Sequence, residues 1–244
     1  MLNDTQIPAP RVPIADKATP TREWFRFFSN LYDFIGLRDG VVPTTSGGTG
    51  IVTYDTGDLL YASAPNVLSR LPVPGSPCLL GTDDTNMPQW IPIGYGSFLN
   101  TTTQTGPANT PVGITYDTTT ESRSVSISGS RVTVDNPGLY TITFSLQLSN
   151  PNTSVEDDAV VWLRVNNANV ANSASRVTIA KARGGTPGST ILTVNLFYRF
   201  AANDYFELYG LSVLGYIQLT TYPASSSPAY PVSPSAILTV AQIV

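Results

Sequence analysis

A two-residue period runs through the second half of the chain and decides its fold class. Val125-Ser126-Ile127-Ser128 and Arg131-Val132-Thr133-Val134 alternate apolar with polar side chains. Successive residues of a strand point to opposite faces, so this pattern suits a half-buried β-strand and not a helix. Leu139-Tyr140-Thr141-Ile142-Thr143-Phe144-Ser145-Leu146-Gln147-Leu148 repeats it at length, and Val160-Val161-Trp162-Leu163-Arg164-Val165 follows. Residues 175–180, 190–200, 205–211, 216–221 and 236–244 read the same way. Turn formers separate the runs: Asp135-Asn136-Pro137-Gly138 supplies a fixed φ and then a free one, and Asn166-Asn167 closes another strand. About eight to ten strands over roughly 145 residues predict a mainly β domain at 97–244, a sandwich or jelly roll.

Residues 1–40 follow other rules. Ile7-Pro8-Ala9-Pro10-Arg11-Val12-Pro13-Ile14 is held extended, because each proline fixes its own φ and drives its predecessor out of the helical region. Thr19-Pro20 then predicts a helix start, with Thr19 as N-cap and Pro20 in the first helical position. Trp24, Phe27, Phe28, Leu31, Phe34 and Ile35 recur at helical spacing, and Gly36 suits a C-cap. The expectation is one short amphipathic helix over 20–36. A lone helix of this length is marginal in water. Its aromatic stripe has two possible destinations: the chain's own β domain, or a partner, copies of itself about a three-fold axis included.

Residues 41–96 read as an extended linker or neck module. They open on the flexible run Thr44-Thr45-Ser46-Gly47-Gly48-Thr49-Gly50. Leu59-Leu60-Tyr61 and Cys78-Leu79-Leu80 are too short to make a core of their own.

Composition excludes several function classes. Apolar residues make up 41% of the chain, enough for a folded core, while charged residues are only 12%, against about 25% in ordinary globular domains. The 13 basic residues are scattered and the net charge is −4, so no nucleic-acid surface is expected. Met1-Leu2-Asn3-Asp4-Thr5 lacks the basic and apolar regions of a signal peptide. No apolar run reaches about 18 residues, so no membrane insertion is expected. Histidine is absent, which removes His-based acid–base sites and Ser-His triads. Cys78 is the lone cysteine, so there is no intrachain disulfide and no zinc site, and its apolar setting predicts a buried, inert thiol.

Paired carboxylates can hydrolyse glycosides. Here the acidic runs Asp83-Asp84 and Glu156-Asp157-Asp158 fall in polar, turn-like segments and read as solvated loop charge. Glu156-Asp157-Asp158 offers hard oxygens for a divalent cation, but without the spacing of a defined loop. Gly47-Gly48-Thr49-Gly50 is no phosphate loop, since no lysine follows and no helix is expected. No catalytic residue, metal or cofactor is expected, and the chain does not read as an enzyme.

Three stretches carry resemblances. Gly47-Gly48-Thr49-Gly50 through Gly57-Asp58-Leu59-Leu60-Tyr61-Ala62-Ser63, then Leu68-Ser69-Arg70-Leu71-Pro72 and Pro88-Gln89-Trp90, resembles a module that recurs in bacteriophage tail-fibre and related virion proteins. Residues 18–28 also resemble N-terminal regions of phage structural proteins. Asn136-Pro137-Gly138-Leu139-Tyr140 through Ser145, Trp162 through Asn167, Ala202-Asn203-Asp204-Tyr205-Phe206-Glu207-Leu208 and Ala236 through Val240 resemble, in order, strands of the tumour-necrosis-factor-like and complement-globular-head jelly rolls. Asn203 stands where that family has glycine, and the last strand lacks the family's aromatics.

These resemblances imply a phage virion protein: a short trimeric tail fibre, assembled in the host cytoplasm and exposed on the particle. Residues 1–40 would anchor it to other virion proteins through Trp24, Phe27, Phe28, Leu31, Phe34 and Ile35. The jelly roll would face outward as a homotrimer, with Tyr140, Phe144, Tyr198, Tyr205 and Tyr209 as candidates for the trimer core or axis. The loops 149–158, 181–189 and 222–234 are candidates for contact with a host-surface glycan or protein, Tyr222 and Tyr230 in particular. One alternative shares the same parts, a capsid head fibre or cement protein without receptor binding; the other, a polysaccharide depolymerase, is opposed by the missing histidine and by a chain too short for a β-helix with an active-site groove.

Overall fold

The computed structural model describes residues 7–8, 11–17, 19–34, 48–83 and 85–243. The chain divides into two compact units, Met1–Ile91 and Pro92–Val244. Ten strands of four residues or more build the second unit: β1 (Tyr95–Asn100), β2 (Thr118–Arg123), β3 (Val125–Ser128), β4 (Arg131–Val134), β5 (Gly138–Asn150), β6 (Asp157–Val165), β7 (Ser175–Ile179), β8 (Gly188–Phe200), β9 (Tyr205–Ser212) and β10 (Ala236–Gln242).

They form two antiparallel sheets, with longer strands in the orders β2-β1-β10-β5-β8 and β3-β4-β9-β6-β7. The pairs nest: β6 pairs with β7, β5 with β8, β4 with β9, and β1 with β10. That nesting is a long hairpin rolled up on itself, which is a jelly roll. The alternation of the sequence fills the space between the sheets. Tyr140, Ile142, Phe144, Leu146 and Leu148 of β5 face Val161 and Leu163 of β6 and Phe206 and Leu208 of β9, all buried. Burying each such side chain contributes about 1.5–3 kcal/mol.

Sequence and structure differ here in three places. First, β1 begins at Tyr95, and β2 lies at Thr118–Arg123, where no strand was expected. β2 is an edge strand with five exposed residues, so it shows no apolar period. Second, only Gln218–Leu219 of the run expected at 216–221 is strand. Third, Glu156-Asp157-Asp158 is not a solvated loop: β6 starts at Asp157, whose side chain points inward and is buried.

In the first unit the helix α1 spans Arg22–Phe34, shorter than the 20–36 expected. Its first turn is closed by Phe25 N–H donating to Thr21 O at 2.8 Å, so the cap position is Thr21 and not Thr19. Ala15–Asp16 pairs with Thr19–Pro20 as a two-residue ladder, which explains the shift: Pro20 is committed to the ladder and cannot open the helix. The preceding peptide is strapped to the helix start. Trp24 Nε1 donates to Val12 O at 3.0 Å, and Thr21 Oγ1 to Pro13 O at 2.7 Å. Ile35, Gly36 and residues 41–47 lie outside the described residues.

Two hairpins form within residues 59–92. Leu59–Ala64 pairs with Val67–Leu71, and Cys78–Thr82 with Pro88–Pro92. The motif residues are the clasps that hold them. Gly57 adopts φ +93°, and a Cβ there would press on Val73 Cγ2 at 3.2 Å. Asp58 accepts from Asp55 N (2.8 Å) and Val73 N (3.1 Å) and lies 3.1 Å from Arg70 Nη1. The Asp55 N–H, then Val73 N–H and the Arg70 charge, hold the Asp58 carboxyl below the usual range despite opposing desolvation. Trp90 Nε1 donates to Pro72 O at 2.7 Å and ties the second hairpin to the end of the first. Cys78, expected to be buried, is only half-buried on a two-stranded ladder.

Candidate interaction surfaces

The solvent-facing positions of the first sheet lie in cross-strand rows. Thr193, Ser145, Ile237 and Leu99 form one row; Asn195, Thr143, Thr239 and Ser97 the next; Phe197, Thr141, Ala241 and Tyr95 a third. Across β1, β10, β5 and β8 the only charged outward residue is Arg199. Phe197 is 65% exposed and Ile191 58%, and Ile237 and Ile243 are exposed beside them. The polar groups of this face already bond to one another. Asn195 Nδ2 donates to Thr141 Oγ1 (2.8 Å) and Thr143 Oγ1 (2.6 Å), and Thr193 Oγ1 to Ser145 Oγ (3.2 Å). Covering such a face strands few polar groups, so its desolvation cost is low. Among the described residues β8 pairs only with β5, which leaves a 13-residue strand with a free edge. Edges of that length are normally covered or blunted.

The second sheet presents a different surface. Arg131 lies over the Tyr205 ring at 4.5 Å and Arg164 over Tyr209 at 4.3 Å. Between the two arginines sits Glu207, buried, accepting from Ser130 Oγ at 2.6 Å and 3.9 Å from Arg131 Nε. Trp162 contacts Tyr209 with ring centroids 6.0 Å apart, and its Nε1 donates to Asn169 Oδ1 at 2.9 Å. Arg176 pairs with Asp158 further along.

The five tyrosine and phenylalanine candidates do not share a face. Tyr140 and Phe144 are fully buried between the sheets of one chain, which removes them from any axis between chains. The Tyr140 hydroxyl donates to Asn136 O at 2.9 Å, and burial, with the Asp135 charge, pushes it up to about 12. Tyr198 is opposite Tyr140 in register, so it turns inward and packs on Phe200 at 4.8 Å. Tyr205 and Tyr209 lie on the second sheet, under their arginines. The exposed aromatic of β8 is Phe197, a residue not among the candidates. The signal was present, since Ile191, Leu192, Val194, Leu196, Phe197 and Tyr198 put apolar residues on both faces, more than a one-sided strand needs.

Of the anchor candidates, Trp24, Phe27 and Leu31 are half-buried and Phe28 is exposed. Trp24, Phe27 and Phe28 form one ring cluster with centroids 5.5–5.7 Å apart. Phe34 closes α1, and Ile35 lies beyond the described residues. The exposed stripe of α1 is Phe25, Phe28 and Tyr32. Tyr222 and Tyr230 are both exposed on a hairpin-like arm, held where Tyr222 and Ser233 exchange backbone hydrogen bonds and where Ser225–Ser226 pairs with Ala229–Tyr230.

Asp157 and Asp158 of the acidic run are satisfied within the fold. Asp157 accepts from Ser212 Oγ (2.6 Å), Leu214 N (2.9 Å), Tyr216 N (3.0 Å) and Asp158 N (2.7 Å). Burial raises its pKa, and these four bonds together outweigh it and leave the carboxyl below its usual range. It is a peg for the loop after β9. Among the described residues no three His, Cys, Asp or Glu side chains gather as metal ligands, and no helix is long and apolar enough to cross a membrane.

No protein-family model matches the chain, and no curated protein is similar to it in sequence. Among solved structures, murine APRIL at pH 8.5 is similar over 62% of this chain and 100% of its own, at 9% identity and a TM-score of 0.38. The globular domain of zebrafish complement 1qA is similar over 62% of this chain and 98% of its own, at 12% identity and a TM-score of 0.38. The jelly roll described above stands on its nested strand pairs.

Proposed function

We propose that the chain is a structural protein of a bacteriophage particle, a short homotrimeric tail fibre. Its first unit docks to other virion proteins, and its jelly roll meets the host surface. The observation that carries the assembly is the outer face of β1, β10, β5 and β8, with Arg199 its single charge and Phe197 and Ile191 exposed upon it. A face whose hydroxyls and amides are bonded sideways, beside a long free edge, fits contact with a second copy. Three is the number that both resemblances imply. The hairpin clasps of Gly57, Asp58, Arg70 and Trp90 give the phage-like module a physical reason to recur: they order a short segment that has little core. Phe25, Phe28 and Tyr32 are the part of α1 left for a virion partner.

Three copies multiply weak contacts through effective concentration, so the surface arm with Tyr222 and Tyr230 need not bind tightly one at a time. Competition for adsorption tests the attachment role. Purified full-length protein should block phage adsorption to host cells, and Tyr222→Ala with Tyr230→Ala should weaken the block. Protein that folds and assembles but does not compete would transfer the reading to a capsid head fibre or cement protein.

A further inference from the structure

The inward side chains of the jelly roll shrink along its length. One end is filled by Tyr140, Tyr198, Phe200 and Phe206, with ring centroids 4.8–5.6 Å apart. Towards the other end β6 presents Val161 and then Ala159, opposite Gly210 and then Ser212 of β9. Packed sheets stand about 10 Å apart. Aromatic rings at one end hold that spacing, so small residues at the other end do not draw the sheets together. The result is a cleft of about 230 Å³, partly open to solvent, among Leu148, Ala159, Val161, Gly210, Ile217 and Leu219. Protein cores are otherwise close-packed, with few voids larger than a water molecule.

The chemistry of the wall limits what can enter. No charged side chain lines it. Gln104 is committed to Thr115, accepting from its N–H at 2.9 Å and donating to its carbonyl at 3.1 Å. Ser212 Oγ donates to Asp157 and accepts from Ile217 N at 3.1 Å. Ordered water needs two to four polar partners, so a mostly apolar cleft whose Gln104 and Ser212 side chains are already bonded favours an apolar occupant.

We propose that this cleft is a binding site for a small, uncharged, mostly apolar molecule the size of a substituted benzene ring. Thr105 and Gln218, which also line it, can meet one hydroxyl or amide of that molecule. The proposal does not depend on the fibre reading.

Isothermal titration calorimetry of the full-length protein with benzyl alcohol tests it. Saturable binding of one molecule per chain is expected. Ala159→Leu puts three more carbons into the cleft and should abolish binding while the melting temperature holds or rises. Gly210→Ala is the gentler variant if Ala159→Leu does not fold. A Cβ there meets Ile114 at 3.7 Å, an ordinary contact, and binding should weaken several-fold. No saturable heat with the native chain, or unchanged affinity in a folded cleft-filling variant, would overturn the proposal.

Discussion

The two outer faces of the jelly roll come from the same alternation and end up chemically opposite. Inward positions of both sheets are apolar, as the common core demands, except at the end where Asp157 bonds Ser212. Outward positions of the second sheet carry Arg131, Arg164, Asp158 and the buried Glu207, with tyrosines stacked under the arginines. Those of the first sheet, from β1 to β8, carry Thr, Ser, Asn, Ile and Phe and a single charge at Arg199. The core therefore does not distinguish the sheets; the solvent side does. A face that keeps charge is built for water, and a face that has lost it and bonds its own polar groups is built to be covered.

The largest expected effect breaks this contrast directly. Phe197→Glu, with Ile191→Glu, places charge on the first face and should reduce the protein to single chains in light scattering while circular dichroism stays β-rich. Next comes the core that both sheets share. Phe206→Ala should cost about 3–5 kcal/mol in chemical denaturation, whichever face is covered. Asp157→Ala is smaller. It leaves Ser212 and the Leu214 and Tyr216 N–H groups without their acceptor, worth about 1–3 kcal/mol.

Asp157 also has a pH consequence. Its pKa is lower folded than unfolded, so its contribution is present above the unfolded value and is lost as pH falls through the folded one. Acid titration of the melting temperature should therefore be flatter in the Asp157→Ala variant. Smallest of all, Arg164→Ala removes one cation–π contact on the second face. It should cost about 0.5–1 kcal/mol with no change in mass. If that variant altered the oligomer and Phe197→Glu did not, the roles of the two faces would be reversed.

Much of this was legible from sequence, because a half-buried strand must alternate. β4, β5 and the bulk of β6 follow from their runs alone. The edge strand β2 gave no such signal: every residue of Thr118–Thr120 is exposed, and threonine in a row has no phase. Buried charge also hides in sequence. Asp157 looked like loop charge until Ser212, Leu214 and Tyr216, more than 50 residues away, were found to satisfy it. That Phe197 and not Tyr198 faces outward depends on register, which only the pairing of Tyr140 with Tyr198 supplies. The helix start moved because Thr19–Pro20 found a strand partner first.

The central claim is that the first face is covered by further copies of the chain. The mass of the full-length protein in solution, by light scattering over a range of concentrations, tests it most directly. The account predicts three times the 26.1 kDa of one chain, persisting on dilution. A mass of one chain at all concentrations would contradict it.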